Sequence, residues 1–512
     1  MPQATFSQRM NLQHLIMRPL AIALLAFLLN ACDSPRTSPS FLALGDSVLR
    51  VTSTIQYPDN KRPWLKKQPF TRIGLGTVIS GGRLLVTADM VAHSTYIGLE
   101  KPEDGPKGTA VVEAIDEECN LAVLRPVDPA ILAGTRPLLL DGAVRTGSTL
   151  QILQLEPNGV PAVSPATVTT IAVMPYPSDS AAYLLYRVST TIPQREGSFV
   201  IPAIRDGKLA GLVMRYDPRT QSAEIIPSPL IARFLKESAK PDYTGLARVG
   251  LTWDKARGPA LREWLGARDL TGVYVTSVDP QGPAEKGGLQ KGDLLTKIAR
   301  SRLDGEGSYS DPTYGKVTFN NLATLESSPG DQLEIEYFRS SGEGTGTLGT
   351  TTVTLAGRNP SLELSPSRQE GDSVPFTFLG GLLFQELSRP YLREWGANWK
   401  TDAPQNLLYL DQFQEEQAHT RDRTRFVILT AVLPSEQTIG IQDLSNRLVT
   451  SINGYPIHEL NDVGEAVRHP ERGFHRIELE GEAGPIFLDA ATLQAEEERI
   501  RTQYGIPLKG KH

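Results

Sequence analysis

Cysteine is scarce in this sequence, with only Cys32 and Cys119 among 512 residues. The fold therefore has to depend on packed hydrophobic cores rather than on a disulfide framework. His and Cys clusters with the spacing of metal ligands are missing as well, which argues against a zinc site and leaves no cofactor to predict.

An excess of positive charge is also missing. The chain has 52 basic and 58 acidic residues, for a formal net charge of -6, and no stretch combines basic with aromatic residues. Nucleic acid is therefore excluded as an expected partner. The apolar run that stands out, residues 19–29, has eleven residues and is too short to span about 30 Å of hydrocarbon.

This apolar run has the features of an export signal. Arg9 and Arg18 supply positive charge before it, and it ends at residues 29–32, Leu-Asn-Ala-Cys. That ending resembles a bacterial lipobox, which implies cleavage before Cys32 and a lipid on its thiol; a plain signal peptide with an incidental cysteine is the alternative. The expected location is the cell envelope, facing the periplasm, and Asp33 favours the inner membrane. With Cys32 acylated, Cys119 would be the one free thiol.

The length predicts three folded units, since domains usually hold about 100 to 200 residues. Short β-branched runs between Gly, Pro and Asp turns predict a mainly β barrel or sandwich first, closed by a helix at residues 228–236. The predicted boundaries are a signal peptide at 1–32, a polar tether at 33–47, a first domain at 48–236, a second at 246–358, a linker at 359–374, a third domain at 375–490 and a solvated helical tail at 491–512.

Three segments of the first domain carry a family resemblance. Residues 74–87 (GLGTVISGGRLLVT) are similar to the strand pair that leads to the catalytic His in serine proteases of the HtrA/Deg family, and residues 118–124 (ECNLAVL) are similar to the segment that holds its Asp. Gly197-Ser198 and residues 206–212 (DGKLAGL) match the serine segment and the strand beyond it. The resemblance implies a trypsin-like double β-barrel, and the local sequence around residue 118 is similar to that of the plant-type Deg branch.

Carried over position by position, the resemblance implies a broken catalytic triad. The His position falls on Met90, the Asp position on Asn120 and the Ser position on Ser198. A thioether cannot accept a proton near neutral pH, and a neutral amide cannot stabilise an imidazolium, so only the nucleophile is retained. We therefore expect an inactive pseudoprotease.

Several neighbouring residues bear on this expectation. His93 is the only histidine of residues 48–236 and hence the only substitute imidazole, while Asp116 is a possible substitute carboxylate. Glu196 and Phe199, beside the serine, oppose a working oxyanion hole, because they place a carboxylate and a bulky side chain where small residues are expected. Cys119 has no basic neighbour in sequence, which is typical of a buried hydrophobic cysteine.

The second domain contains one long motif with a family resemblance. Residues 272–293 (GVYVTSVDPQGPAEKGGLQKGD) are similar to the centre of an HtrA-type PDZ domain. By resemblance, Arg248, Val249, Gly250 and Leu251 form the loop that holds a peptide's terminal carboxylate, while the peptide adds a strand to the sheet edge. The alternative is that the chain itself fills this groove.

The third domain resembles the second PDZ-type domain of plant-type Deg proteins. Residues 378–384 (FLGGLLF) place Gly380, Gly381 and Leu382 at the loop position, but the usual Pro-Ala-Glu turn is missing after Pro434. Peptide binding and a role in subunit assembly are both open for this domain. The predicted fold class is thus mainly β, a trypsin-like double β-barrel followed by two PDZ-type α+β domains.

Three functions follow from these resemblances. The first is a lipid-anchored pseudoprotease that binds exposed C-termini or misfolded envelope proteins. The second is an active serine endopeptidase that uses Ser198 with a non-standard base. The third is a scaffold or regulator of an active Deg paralogue. Members of the family self-associate, so the resemblance also implies a homo-oligomer, with a trimer as one option.

Overall fold

The computed structural model describes residues 44–102, 105–142, 144–177, 181–194, 197–342, 344–369, 371–414 and 423–507. The predicted signal peptide, the lipobox with Cys32 and Asp33, and most of the predicted tether lie outside these ranges. No helix among the described residues is long and apolar enough to cross a membrane.

The first unit begins with a closed six-stranded barrel, in the order β1-β2-β3-β6-β5-β4. Its interior is so tightly filled that a Cβ on Gly76 would lie 2.8 Å from Val51 Cγ2 and 2.9 Å from Leu84 Cδ2. A short helix, α1 (Ala88–Val91), follows β3. The strands are β1 (Val48–Ile55), β2 (Phe70–Ile79), β3 (Arg83–Val86), β4 (Ser94–Glu100), β5 (Lys107–Asp116) and β6 (Leu121–Pro126).

A second closed barrel follows, in the order β10-β11-β12-β9-β8-β7. Helix α2 (Ser228–Glu237) closes the unit by burying Leu230, Ile231 and Phe234, close to the predicted helix at 228–236. The predicted double barrel is therefore confirmed. The strands are β7 (Thr149–Leu155), β8 (Pro161–Pro175), β9 (Ala182–Thr190), β10 (Ile201–Arg205), β11 (Lys208–Asp217) and β12 (Ser222–Pro227).

The second unit is a mixed α+β domain around a sheet in the order β13-β14-β15-β19-β20, with β16 on β15 and a separate β17-β18 hairpin. Its strands are β13 (Leu251–Lys255), β14 (Val273–Val278), β15 (Leu294–Ile298), β16 (Ser301–Arg302), β17 (Ser308–Asp311), β18 (Gly315–Thr318), β19 (Gln332–Gly342) and β20 (Thr345–Thr354). Its helices are α3 (Pro259–Leu265), α4 (Pro283–Lys286) and α5 (Asn320–Thr324).

The third unit repeats this plan with a sheet in the order β21-β22-β23-β24-β26-β27, and β25 on β24. Its strands are β21 (Thr377–Leu379), β22 (Leu382–Glu386), β23 (Val427–Val432), β24 (Arg447–Ile452), β25 (Tyr455–Pro456), β26 (Phe474–Leu479) and β27 (Ile486–Asp489). Its helices are α6 (Arg389–Leu392), α7 (Trp399–Asp402), α8 (Gln405–Gln412), α9 (Leu460–Ala466) and α10 (Leu493–Tyr504).

The predicted linker and the predicted solvated tail both pack against the third unit. Within the predicted linker, Leu364 is buried in a hydrophobic cluster of the third unit, and the Ser365 hydroxyl donates to Asp411 over 2.9 Å. In α10 of the predicted tail, Ile500 is fully buried against Phe378 and Leu383. The expectation of a freely solvated tail helix was wrong, because one apolar face of this charged helix covers the sheet.

Candidate functional site

Ser198 lies at a turn between the two barrels. Gly197 before it has a φ of 84°, a conformation that favours glycine. The Ser198 Oγ atom accepts a hydrogen bond of 2.7 Å from Gln154 Nε2, which also donates to the Pro193 carbonyl over 3.0 Å. Ser198 borders a cavity of about 90 Å³. The partner found for the predicted nucleophile is thus a neutral amide, which cannot take a proton from it.

Met90 lies in α1, beneath the first barrel. Its side chain is fully buried within the hydrophobic core. A Cβ on Gly74 would lie 3.4 Å from Met90 Sδ and 2.9 Å from the backbone nitrogen of Val200. The side chain at the predicted His position is therefore close to the serine segment, where it contributes to hydrophobic packing.

Asn120 ends the turn that joins β5 to β6, with a φ of 54°. Its Oδ1 accepts a hydrogen bond of 2.9 Å from the Asp89 backbone N–H, so it ties this turn to α1. Burial raises the pKa of Asp89, an effect that Thr87, Arg72 and Asn120 offset only in part. No hydrogen bond of normal geometry joins the Asp89 Oδ1 or Asn120 Nδ2 atom to any described residue.

Asp116, the possible substitute carboxylate, is committed to the same turn. It accepts hydrogen bonds from the backbone N–H groups of Glu118 at 2.9 Å and Cys119 at 3.3 Å, and another from the Tyr243 hydroxyl. Cys119 itself is fully buried, and burial followed by the nearby Asp116 raises the pKa of its thiol well above the usual value. Both residues therefore serve the structure of the turn.

His93, the possible substitute base, faces another part of the molecule. Its ring lies 5.1 Å from the Tyr57 ring, and its Nδ1 is 3.8 Å from a carboxylate oxygen of Asp372. It borders a large cavity next to α1, which has no lining residue in common with the cavity beside Ser198. These contacts give no support to His93 as a base for Ser198.

The residues around the expected oxyanion hole have other partners. The Phe199 backbone N–H donates to the Ile73 carbonyl over 3.3 Å. The Phe199 ring lies 4.5 Å from the Arg72 guanidinium, which covers it. Glu196 lies outside the described residues. Phe199 thus packs on β2 at the protein surface.

In the second unit, the predicted carboxylate loop has the backbone needed for anion capture. Gly250 has a φ of 75°, and a Cβ there would lie 2.8 Å from Pro283 Cδ, so only glycine fits. The Gly250 carbonyl accepts from the Asp279 N–H over 3.0 Å. Among the described residues, the N–H groups of Val249 and Gly250 have no hydrogen-bond acceptor. Two free N–H donors in one tight loop suit a carboxylate.

The next strand offers an edge for a peptide. β13 begins at Leu251, which packs on the core of the unit, and it pairs with β14 alone among the described strands. Its other edge therefore remains available for an added strand.

Arg248 has a different part in this loop. Its backbone N–H donates to the Ala356 carbonyl over 2.9 Å, and its guanidinium forms an ion pair with Glu118 in the β5–β6 turn. Burial lowers the pKa of Arg248, but the Glu118 carboxylate outweighs this effect and keeps the guanidinium charged. Arg248 thus joins the second unit to the barrel, and its charge is already balanced.

The corresponding loop of the third unit is packed against the chain. A Cβ on Gly380 would overlap Leu493 of α10, and the Gly381 carbonyl accepts from the Leu433 N–H over 2.7 Å. Leu382 is fully buried in β22, which is paired on one side with β21 and on the other with β23. The structure leaves less room for a peptide here than beside β13.

Sequence reasoning missed Gln154 and the ion pair between Glu118 and Arg248. Gln154 is 2% exposed and lies between Leu153 and Leu155. A lone amide in an apolar strand indicates a buried hydrogen-bond partner, but sequence alone does not identify Ser198 as that partner. Among the described ranges, no group of three His, Cys, Asp or Glu side chains could hold a metal ion.

Comparisons with known proteins place these units in a family. Two PDZ domain family models match residues 274–308 and 366–510. Protease Do-like 2, chloroplastic, from Arabidopsis thaliana is 27% identical over 429 residues, which is 82% of this chain and 68% of that protein. The chain belongs to the HtrA/Deg family. The predicted family and the two PDZ domains are confirmed.

Two further proteins are similar to this HtrA/Deg protein. Putative protease Do-like 3, mitochondrial, from Arabidopsis thaliana is 24% identical over 88% of this chain and 77% of its own length. The solved structure "HtrA-type protease AlgW with decapeptide" is 19% identical, covers 63% of this chain and 99% of its own, and has a TM-score of 0.47. The assignment of Met90, Asn120 and Ser198 to the triad positions stays a prediction.

Proposed function

We propose that this HtrA/Deg protein is a catalytically inactive member of its family that binds peptides with free C-termini through its first PDZ domain. The observation that carries the proposal is the pairing of Ser198 Oγ with the Gln154 amide at 2.7 Å, while Met90 is fully buried at the predicted His position. Acyl transfer needs a base within hydrogen-bond reach of the nucleophile.

The size of the catalytic loss supports inactivity rather than slow catalysis. In a well-studied subtilisin, removal of the base or the nucleophile alone costs on the order of a million-fold in turnover. Here the predicted positions of both the base and its orienting carboxylate are filled by uncharged side chains. We expect turnover at the level of background hydrolysis.

Peptide binding is supported by the first PDZ loop. The free N–H groups of Val249 and Gly250 can donate hydrogen bonds to a terminal carboxylate, and the open edge of β13 can pair with the peptide backbone. The proposed clients are exposed C-termini of misfolded envelope proteins, in protein quality control.

The test of this function is the digestion of unfolded casein by the purified full-length protein. We expect casein to remain intact over hours, with Ser198→Ala indistinguishable from the wild type. Cleavage that disappears in Ser198→Ala would instead establish the active endopeptidase.

A further inference from the structure

The edge strand of the first PDZ domain presents two different faces to an added peptide. Along β13, Leu251 and Trp253 are half-buried, whereas Thr252 and Asp254 are exposed. This alternation follows from the two-residue period of a β-strand, which sends successive side chains to opposite sides of the sheet. A peptide that pairs with β13 has the same period, so its side chains meet the two faces in turn.

One face of β13 is apolar. The Trp253 ring lies 5.3 Å from the ring of Phe319, the residue that directly precedes α5. Leu251 packs on the same hydrophobic core as these two rings. Every second side chain of an added peptide therefore meets an apolar surface.

The other face of β13 carries the carboxylate of Asp254. Its neighbour in register on β14 is Tyr274, which is uncharged. The nearby cations Lys255 and Arg257 both form ion pairs with Glu306. Among the described residues, the Asp254 carboxylate forms no ion pair, so its charge is open to a partner from outside the chain.

The carboxylate loop sets the register of the peptide. The free N–H groups of Val249 and Gly250 come immediately before β13, so a carboxylate bound there places the last peptide residue level with Leu251. The rest of the peptide then runs antiparallel to β13. Counting back along both strands, the third residue from the end is level with Trp253 and the fourth with Asp254. Directly opposed residues have Cβ atoms about 4.5–5.5 Å apart.

We propose that Asp254 selects peptides with a lysine or arginine as the fourth residue from a free C-terminus. This inference rests on the proposed function, because it requires a terminal carboxylate held by the first PDZ loop. Opposite charges that face each other across paired strands stabilise the pairing, whereas a glutamate at that position is repelled. The ligand class is thus an apolar C-terminus preceded by a basic residue.

Fluorescence anisotropy with the full-length protein and three labelled peptides tests the proposal. The peptides differ only in the fourth residue from the end and finish in Lys-Phe-Ala-Val, Gln-Phe-Ala-Val or Glu-Phe-Ala-Val, each with a free carboxylate. We expect the Lys peptide to bind about fivefold more tightly than the Glu peptide, with the Gln peptide between them. The spread should shrink in about 1 M salt, because the screening length falls to about 3 Å.

Charge reversal on the strand identifies the residue responsible. Asp254→Lys should invert the order, so that the Glu peptide binds most tightly, and Asp254→Asn should bring the three affinities together. Asp443→Lys makes the same change of net charge at an exposed position of the third unit and should leave the wild-type order intact. An order that survives Asp254→Lys, or that Asp443→Lys inverts as well, would overturn the proposal.

An amidated form of the Lys peptide separates this inference from the function on which it rests. Three equal affinities for the free peptides, each tighter than that of the amidated peptide, would overturn selection by Asp254 and leave carboxylate capture standing. Equal binding of the free and amidated Lys peptides would remove carboxylate capture, and with it the register on which selection by Asp254 depends.

Discussion

Asn120 has a structural task that it performs without adding charge to its buried surroundings. Its Oδ1 ties α1 to the β5–β6 turn, and its Nδ2 end lies beside Asp89, a carboxyl whose pKa is raised by burial. A neutral amide adds no charge to this buried corner. The predicted loss of the catalytic Asp thus coincides with a gain for the fold.

We predict that Asn120→Asp destabilises the protein. A second carboxylate beside Asp89 would repel it in a buried environment, at an expected cost of about 1–3 kcal/mol in the free energy of unfolding at neutral pH. The repulsion raises the pKa of the new carboxyl, so the deficit should shrink as pH falls through that raised value. Urea unfolding at neutral and mildly acidic pH measures both effects, and a variant as stable as the wild type at neutral pH would contradict this account.

The loop and edge strand of the first PDZ domain carry the next prediction. A peptide with a free hydrophobic C-terminus should bind the full-length protein at least about tenfold more tightly than its amidated form, because the N–H groups of Val249 and Gly250 recognise the carboxylate. Fluorescence anisotropy with labelled peptides measures this ratio.

Two glycine substitutions test whether the carboxylate preference depends on this loop. Gly250→Ala should abolish the preference, since its Cβ would meet Pro283 and its φ is positive, whereas Gly371→Ala, also at positive φ but with nothing within 4 Å, serves as the control. Equal affinity for free and amidated peptides would remove carboxylate capture as the mechanism.

At the level of strands, the sequence predicted strands with continuous β-branched and apolar runs and missed a strand interrupted by prolines. The β-branched runs of β2, β6 and β9 were visible in the sequence. β8 was not, because Pro161, Pro165 and Pro175 are typical of turns, although proline is tolerated where a strand needs no donor.

The packing of α10 was missed for another reason. Leu493 and Ile500 lie seven positions apart and give the helix an apolar face, but the acidic run at residues 496–498 dominates its composition. The Arg248–Glu118 ion pair could not be predicted, since only the tertiary fold brings together residues so distant in sequence.

At the scale of the whole molecule, attachment to a membrane remains a proposal from the sequence. We propose that Cys32 carries a lipid which holds the protein on the periplasmic face of a bacterial envelope, and that the protein forms a homo-oligomer there. Labelled palmitate should be incorporated into the wild type and not into Cys32→Ser, which should be released as a soluble protein. A Cys32→Ser protein that stayed fully membrane-bound would contradict the anchor.

The central claim is that Ser198 is not an activated nucleophile, and its reaction with a fluorophosphonate probe tests this claim most directly. The probe measures nucleophilicity without requiring a substrate. The Gln154 amide donates a hydrogen bond to Ser198 Oγ, and no imidazole lies beside this oxygen among the described residues. We therefore predict that the probe labels the wild type no faster than it labels Ser198→Ala. Rapid labelling of the wild type that is abolished by Ser198→Ala would contradict the inactive assignment.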